Sequence, residues 1–120
     1  MKNDLEHRLV DFASNVISLT QNLVPGQPSK VLGDQILRSG TSCALNYGEA
    51  QNAHSKRDFI SKCSIVLKEL RETSVYLKII QQTKLYKSEN QIVELLKENL
   101  ELIAIFTAIL KTANKNQRIQ

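Results

Sequence analysis

The residues best suited to catalysis are few and lie in the middle of the chain. Arg38, Glu49 and Glu72 form the strongest set, because two carboxylates beside a guanidinium can have their pKa values displaced from each other, as acid–base catalysis requires. The same residues can instead form an ion-pair network that fixes helix packing, and such networks also perturb pKa values. We favour the structural alternative and predict that the protein is not an enzyme.

The histidines and cysteines do not form a metal-binding motif. His7 has Asp4 three residues before it and His54 has no acidic residue at that position, so neither completes the Glu-x-x-His pair of a di-iron bundle. Cys43 and Cys63 are the only cysteines, and we expect both to be buried thiols. Phosphate-binding glycine loops and hydrolase motifs are absent from the sequence. We therefore predict no metal and no cofactor.

The positive charge of the chain is concentrated in one segment. The formal net charge is +4, from 16 Lys and Arg against 12 Asp and Glu. Residues 55–88 hold eight of these cations and three acids, whereas residues 1–54 have a net charge of −1 and residues 89–120 are neutral. Such an excess attracts polyanions, so RNA or DNA is a candidate partner, and a solubilising surface is the alternative. The candidate nucleic-acid-binding residues are Lys56, Arg57, Lys62, Lys68, Arg71 and Lys78.

Four helices are expected to position these side chains. Apolar residues recur at three- and four-residue steps over residues 4–24, and the sequence PGQP at 25–28 ends that helix. Ser29 is predicted to cap a second helix that reaches about residue 51. Capping boxes at Ser55 and Ser88 open two more, which reach about residues 82 and 113.

These elements predict an all-α protein, an antiparallel up-down-up-down four-helix bundle, because strand patterns are missing and the connections are short. We expect one domain over residues 1–114 and a polar, frayed tail over residues 115–120. The first residues lack the apolar core of a signal peptide. The longest apolar run, at residues 102–110, is too short to span a bilayer. We therefore expect a cytoplasmic protein with no membrane partner.

The second helix carries small and polar residues in its segment LRSGTSCALNYGEA, residues 37–50. At about 100° per residue, several of them fall on one stripe, and Glu72 of the third helix can join it. The residues of this predicted polar stripe or subunit-contact network are Arg38, Ser42, Asn46, Glu49 and Glu72. We expect Asn46 and Glu49 to be partly buried, with hydrogen-bond partners outside their own helix.

The third and fourth helices have more apolar residues than one core stripe requires. Aligned sets lie beside or opposite the core stripe, and contiguous exposed apolar patches usually mark an interface. We therefore predict a homo-oligomer. The candidate interface residues are Ile65, Tyr76, Ile79, Leu95, Leu102 and Ile109.

Residues 30–86 also resemble a known family, the bacterial four-helix-bundle proteins named for intervening sequences inserted in 23S ribosomal RNA genes. The matching positions within the second and third helices are Gln35, Ile36, Arg38, Ser42, Asn46, Glu49, Ala50, Ser55, Phe59, Ile60, Ser64, Ile65, Leu67, Leu70 and Glu72. Leu85 and Tyr86 resemble the turn before the last helix of the family. The chain departs from the family at Ala44, where a proline is frequent, at Gly48, where an alanine is frequent, and at its start, which lacks an aromatic Val-Trp-Gln-like sequence.

The resemblance implies an antiparallel four-helix bundle that assembles as a homopentamer. A related branch, the accessory variability proteins of diversity-generating retroelements, is similar in fold and binds nucleic acid and a reverse transcriptase through basic surfaces. By this weaker analogy a reverse transcriptase is a further candidate partner. For most family members no activity is established. The alternative to nucleic-acid binding is a purely structural or protein-binding scaffold.

Overall fold

The chain folds into four long helices that pack side by side, as seen in a computed structural model. The structure describes residues 4–119, with side chains described for residues 4–115. The helices are α1 (Asp4–Gln21), α2 (Gln27–Gln51), α3 (Lys56–Thr83) and α4 (Glu89–Ile119). Each helix packs on the next, and α4 returns beside α1. The prediction of an all-α four-helix bundle is therefore confirmed.

The starts of α3 and α4 follow the predicted capping pattern. The Ser55 hydroxyl oxygen accepts a hydrogen bond from the Asp58 N–H at 3.0 Å, and the Ser88 hydroxyl oxygen accepts one from the Gln91 N–H at 3.3 Å. Both bonds satisfy a backbone donor that the first turn of a helix leaves unpaired. The sequence therefore located both helix starts to the residue.

The connection between α1 and α2 differs from the prediction. The helix α1 ends at Gln21 rather than near residue 24, because Leu23 and Tyr86 form an antiparallel bridge and the Val24 N–H donates to the Leu85 carbonyl at 2.8 Å. Ser29 does not cap α2. Gly26 occupies the capping position with φ 141°, and proline follows in the first turn, so Ser29 lies inside the helix and is buried.

The end of α4 also lies further along the chain than predicted. It continues past residue 113 to Ile119. Residues 115–119 of the predicted tail therefore extend the helix, while residue 120 lies outside the described residues. Within residues 4–119, no helix combines the length and the apolar character that crossing a bilayer requires.

The core is built from all four helices, and α4 contributes a wider buried stripe than its periodicity suggested. Leu95 and Leu102 are only 7% and 0% exposed, and both belong to the core cluster of the single chain. The prediction that they form an oligomer interface is therefore wrong. Because α4 contacts both α3 and α1, residues on two adjoining sides of the helix are buried at once.

Three contacts in the core fix how neighbouring helices align. Gly40 of α2 lies so close to Val16 of α1 that a Cβ atom would sit 3.0 Å from both methyl groups of the valine. The hydroxyls of Ser39 and Thr73 share a buried hydrogen bond of 2.8 Å between α2 and α3. The Asn99 amide donates to the Leu70 carbonyl at 3.1 Å between α4 and α3. Each contact is local and directional, so it is made in one register only.

Candidate functional site

The structure brings Arg38 and Glu72 together and adds Glu69 to them. Arg38 Nη1 donates to Glu69 Oε2 at 3.1 Å, and Nη2 donates to Glu72 Oε1 at 3.0 Å. The Glu69 side chain is nearly buried, with 8% of its surface exposed. The charge of Glu69 is the main reason that the pKa of Arg38 is raised above its usual value. The three side chains therefore join α2 to α3 through two ion pairs.

Glu49 lies outside this cluster, so the three-residue acid–base set does not assemble. Lys62 Nζ lies 2.7 Å from Glu49 Oε1, and this hydrogen bond raises the pKa of Lys62. Glu49 thus has a partner on another helix, as predicted, but its side chain is 59% exposed and the predicted burial is wrong.

Asn46 also differs from the prediction. Its amide donates to the carbonyl and to the hydroxyl oxygen of Ser42, both at 2.9 Å. Asn46 is half-buried, but its partner is in its own helix. A short polar side chain reaches the carbonyl one turn earlier without any neighbour, so this pair does not join α2 to another helix.

Sequence reasoning missed four buried polar residues that form hydrogen bonds between helices: Ser39, Glu69, Thr73 and Asn99. The sequence did indicate the position of Glu69, because it precedes Glu72 by three residues and therefore lies on the same face of the helix. The other three lie among apolar core positions, and no pattern in the sequence distinguishes them from surface residues. The Asn99 Oδ1 atom has no partner among the described residues.

The two cysteines are buried and weakly acidic. Burial raises the pKa of Cys43 to about 12 and that of Cys63 to about 11. Since the thiolate is both the nucleophile and the metal-binding form, neither side chain is suited to these roles near neutral pH. Among the described side chains, no three histidine, cysteine or carboxylate groups converge as a metal site would require.

Four of the six candidate nucleic-acid-binding residues lie along one face of α3. Arg57, Lys68, Arg71 and Lys78 follow one another at steps of 11, 3 and 7 residues, which are close to whole helical turns. All four are exposed, and none forms an ion pair with another described residue. At about 1.5 Å per residue they span about 32 Å. We call these four residues the basic stripe.

The other two candidates lie apart from the basic stripe. Lys62 points towards α2, where Glu49 neutralises it. Lys56 lies at the start of α3 and lines a shallow apolar groove with Phe59 and Ala113. The predicted binding set of six is therefore divided by the structure into a stripe of four and two residues with different surroundings.

The remaining interface candidates are accessible. Ile65 and Tyr76 are half-buried and Ile79 is exposed, whereas the exposed Val75 lies on the face of the basic stripe, four residues after Arg71 and three before Lys78. Val31 of α2 lies two turns before Arg38, and Ile79 of α3 lies two turns after Glu72. Because the two helices are antiparallel, Val31 and Ile79 lie at the same end of the helix pair. We call Val31, Ile65, Tyr76 and Ile79 the α2–α3 apolar face. Ile109 is half-buried at the far end of α4.

Fold and site together define the class: a four-helix bundle whose helices are joined by buried polar contacts, with an exposed row of cations on α3. Comparison with known sequences gives the family. The model of the 23S rRNA-intervening sequence proteins matches residues 2–108, and the chain belongs to that family. The match extends beyond residues 30–86, whose sequence resembles that of the family.

A solved structure supports the same assignment. It is a Bacteroides thetaiotaomicron protein of the S23 ribosomal protein family, whose function is unknown, and it is 34% identical to this chain. The similarity covers 89% of this chain and 98% of the other, with a TM-score of 0.82. No match was found among curated proteins.

Proposed function

We propose that this protein is a non-enzymatic, self-associating four-helix bundle that binds the phosphate backbone of RNA or DNA through its basic stripe. The observation that carries the proposal is the alignment of Arg57, Lys68, Arg71 and Lys78 on one exposed face without ion-pair partners among the described residues. Unpaired cations arranged in a row attract a polyanion and gain free energy by releasing its counterions.

The composition of that face indicates recognition of the backbone rather than of bases. The other exposed residues on it include Ser61, Ser64, Val75 and Gln82, none of which is aromatic. Single-stranded nucleic acid is usually held by stacking of its bases on aromatic side chains. We therefore expect weak sequence preference and a strong dependence of affinity on salt.

Self-association would multiply the contribution of each stripe. The α2–α3 apolar face supports it, because its four exposed or half-buried apolar side chains lie within two helical turns of Arg38, Glu69 or Glu72 on the same helices. The family resemblance implies five subunits. In an oligomer, several weak stripes act on one polyanion and the overall affinity rises without new contacts within a subunit.

The experiment is a fluorescence anisotropy titration against duplex and single-stranded RNA and DNA at about 50 mM salt. The stripe variant replaces Arg57, Lys68, Arg71 and Lys78 with Gln. A control variant replaces four exposed lysines elsewhere, Lys30, Lys97, Lys111 and Lys115, so that the net charge is the same.

We expect the stripe variant to lose much more affinity than the control variant, with both melting temperatures close to that of the wild type. Absence of binding by the wild type at tens of micromolar protein, within the usual range of non-specific affinity, would refute the proposal. Equal losses in the two variants would mean that net charge, and not the stripe, governs binding.

A protein-binding scaffold without nucleic-acid binding is the second candidate function, and the α2–α3 apolar face favours it. Its partner would then be another protein; by analogy with the accessory variability proteins, a reverse transcriptase is one such partner. The titration above distinguishes the two candidate functions. If the protein is only a protein-binding scaffold, the intact oligomer should bind neither RNA nor DNA.

A further inference from the structure

A long groove separates α1 from α4, and none of its lining residues belongs to α3, the helix of the basic stripe. It consists of two adjoining cavities of about 620 and 430 Å³ that share Ser18, Tyr86 and Gln91. Along α1 and the turn that follows it, the lining extends from Asp11 to Asn22, which is about 16 Å at 1.5 Å per residue. An extended chain advances about 3.3 Å per residue, so the groove has the length of about five extended residues.

The charge of the groove selects a cationic occupant. Asp11, Glu94 and Glu98 line one end, and Lys87 lines the other. Arg8 neutralises Glu98, with Nη2 2.5 Å from Oε1. Glu94 has no ion-pair partner among the described residues, and Asp11 has only the exposed His7, 3.6 Å away. Nucleic acid is repelled from such a surface, whereas lysine and arginine side chains are attracted to it.

The uncharged lining residues suit a peptide backbone. The side chains of Asn15 and Asn90 form no hydrogen bond with another described residue, and Gln91 uses its oxygen to accept from the Tyr86 hydroxyl, which leaves its NH₂ group as a donor. An amide side chain presents a donor and an acceptor together, so it can pair with both polar groups of a peptide unit. Phe12, Leu19 and Leu95 form an apolar floor beneath them.

We propose that this groove binds an extended, lysine- or arginine-rich segment of a partner protein. The amides of Asn15 and Asn90 pair with the backbone of the segment, and Asp11 and Glu94 bind its cationic side chains. The groove uses no residue of the basic stripe. The two surfaces thus bind partners of opposite charge: the basic stripe on α3 binds phosphate, and the groove between α1 and α4 binds a cationic peptide.

The test uses the intact protein and a labelled, end-blocked hexapeptide with three lysines, a matched peptide with three glutamates, and spermidine as a competitor. The charge variant is Asp11→Asn with Glu94→Gln. Its control, Asp34→Asn with Glu89→Gln, removes two exposed carboxylates outside the groove. The amide variant is Asn15→Ala with Asn90→Ala. RNA and DNA binding is measured on every variant.

We expect the lysine peptide to bind and the glutamate peptide not to bind. The charge variant should weaken peptide binding by about tenfold and its control by much less, with binding of RNA and DNA not reduced. The amide variant should weaken peptide binding while leaving any binding of spermidine unchanged. Equal affinity in the charge variant and its control, or no binding at millimolar peptide, would overturn the proposal. So would an amide variant with wild-type affinity, because the groove would then be a site for small cations only.

Discussion

At the scale of single residues, the strongest polar interaction between helices is the one around Glu69. A carboxylate loses its hydration when it is buried, and it keeps its charge only if donors replace the lost water. Arg38 supplies such donors to Glu69 and Glu72 from the neighbouring helix. Glu49 and Lys62 form a shorter contact of 2.7 Å, but the exposed Glu49 remains hydrated without its partner. Burial, rather than distance, therefore decides which pair matters for stability.

This difference predicts unequal effects of two similar substitutions. Arg38→Met should lower the free energy of unfolding by about 1–2 kcal/mol, because Glu69 remains buried without its donor. Lys62→Met should have a smaller effect, since surface ion pairs contribute little. Urea denaturation of both variants measures the two losses. A larger loss of stability for Lys62→Met would contradict the conclusion that the contact of the buried Glu69 contributes more to stability than the exposed pair.

The cysteines give a second prediction at this scale. Both thiols are buried, and their pKa values of about 12 and 11 leave almost no thiolate at pH 8. Neither Cys43 nor Cys63 should react with a thiol reagent at that pH on the timescale of minutes, and both should react once urea unfolds the chain. Rapid modification of the folded protein would show that the core opens easily.

The sequence allowed the approach of Arg38 to Glu72 to be predicted but not the rest of the cluster. Helical spacing places both residues on facing sides of neighbouring helices, so their meeting follows from the fold. Glu49 lies 11 residues after Arg38 on the same helix, about 16 Å along its axis, so the guanidinium cannot reach it in any packing of the helices. The pairing of Arg38 with Glu69 as well as Glu72 depends on the offset between α2 and α3, which no single chain position reveals. The offset instead depends on contacts such as Ser39 with Thr73, whose partners lie 34 residues apart.

At the scale of secondary structure elements, Gly40 and Gly48 of α2 lie in different surroundings. Gly40 is required by the close approach of Val16, whose two methyl groups occupy the space of a side chain. Gly48 has no atom within 4 Å of the position that a Cβ would take. Packing therefore demands the first of these two glycines and not the second.

Substitution of these glycines by alanine should have opposite effects. Gly48→Ala should stabilise the protein by up to about 1 kcal/mol, the gain in helix propensity. Gly40→Ala should destabilise it by about 1–3 kcal/mol, because a β-branched neighbour cannot rotate both methyl groups away. Thermal unfolding of the two variants measures the signs.

Addition of Val16→Ala to the Gly40→Ala variant provides the control. It removes the methyl groups that clash, so the double variant should be more stable than the sum of the two separate losses predicts. Additive losses would show that Val16 is not the cause of the effect at Gly40.

The starts of α3 and α4 could be predicted because a serine cap is a local interaction between residues three apart. The burial of Leu95 and Leu102 could not, because it depends on α4 having two neighbours. The predicted start of α2 was wrong because Gly26 and Pro28 also carry signals for a helix start. The helix begins at these residues, before Ser29. Local signals identified the helices, and the packing between them remained to be determined from the structure.

At the scale of the whole molecule, opposite charges are concentrated on different helices. The basic stripe lies on the outer face of α3, and the groove between α1 and α4 carries Asp11, Glu94 and Glu98. A polyanion approaching the molecule is therefore oriented before contact. This arrangement leaves the α2–α3 apolar face available for self-association beside the stripe.

The proposed assembly predicts a mass several times that of the 13.6 kDa chain in light scattering at micromolar concentration. Ile79→Glu should reduce that mass while preserving helicity by circular dichroism, because a charge in an apolar interface is costly. Val93→Glu, on the exposed part of α4, is the matched control and should leave the mass unchanged. A monomeric wild type would exclude this interface.

The salt dependence of nucleic-acid affinity tests the central claim most directly. For a duplex, the logarithm of the association constant should fall with the logarithm of salt concentration, with a slope of about −0.9 for each phosphate contact. Replacing Lys68 and Arg71 with Gln should make this slope less steep by about 1.8 for each subunit that contacts the duplex, while Lys97→Gln with Lys111→Gln should leave it unchanged. An equal slope for the wild type and the Lys68 and Arg71 variant would contradict the assignment of phosphate binding to the basic stripe.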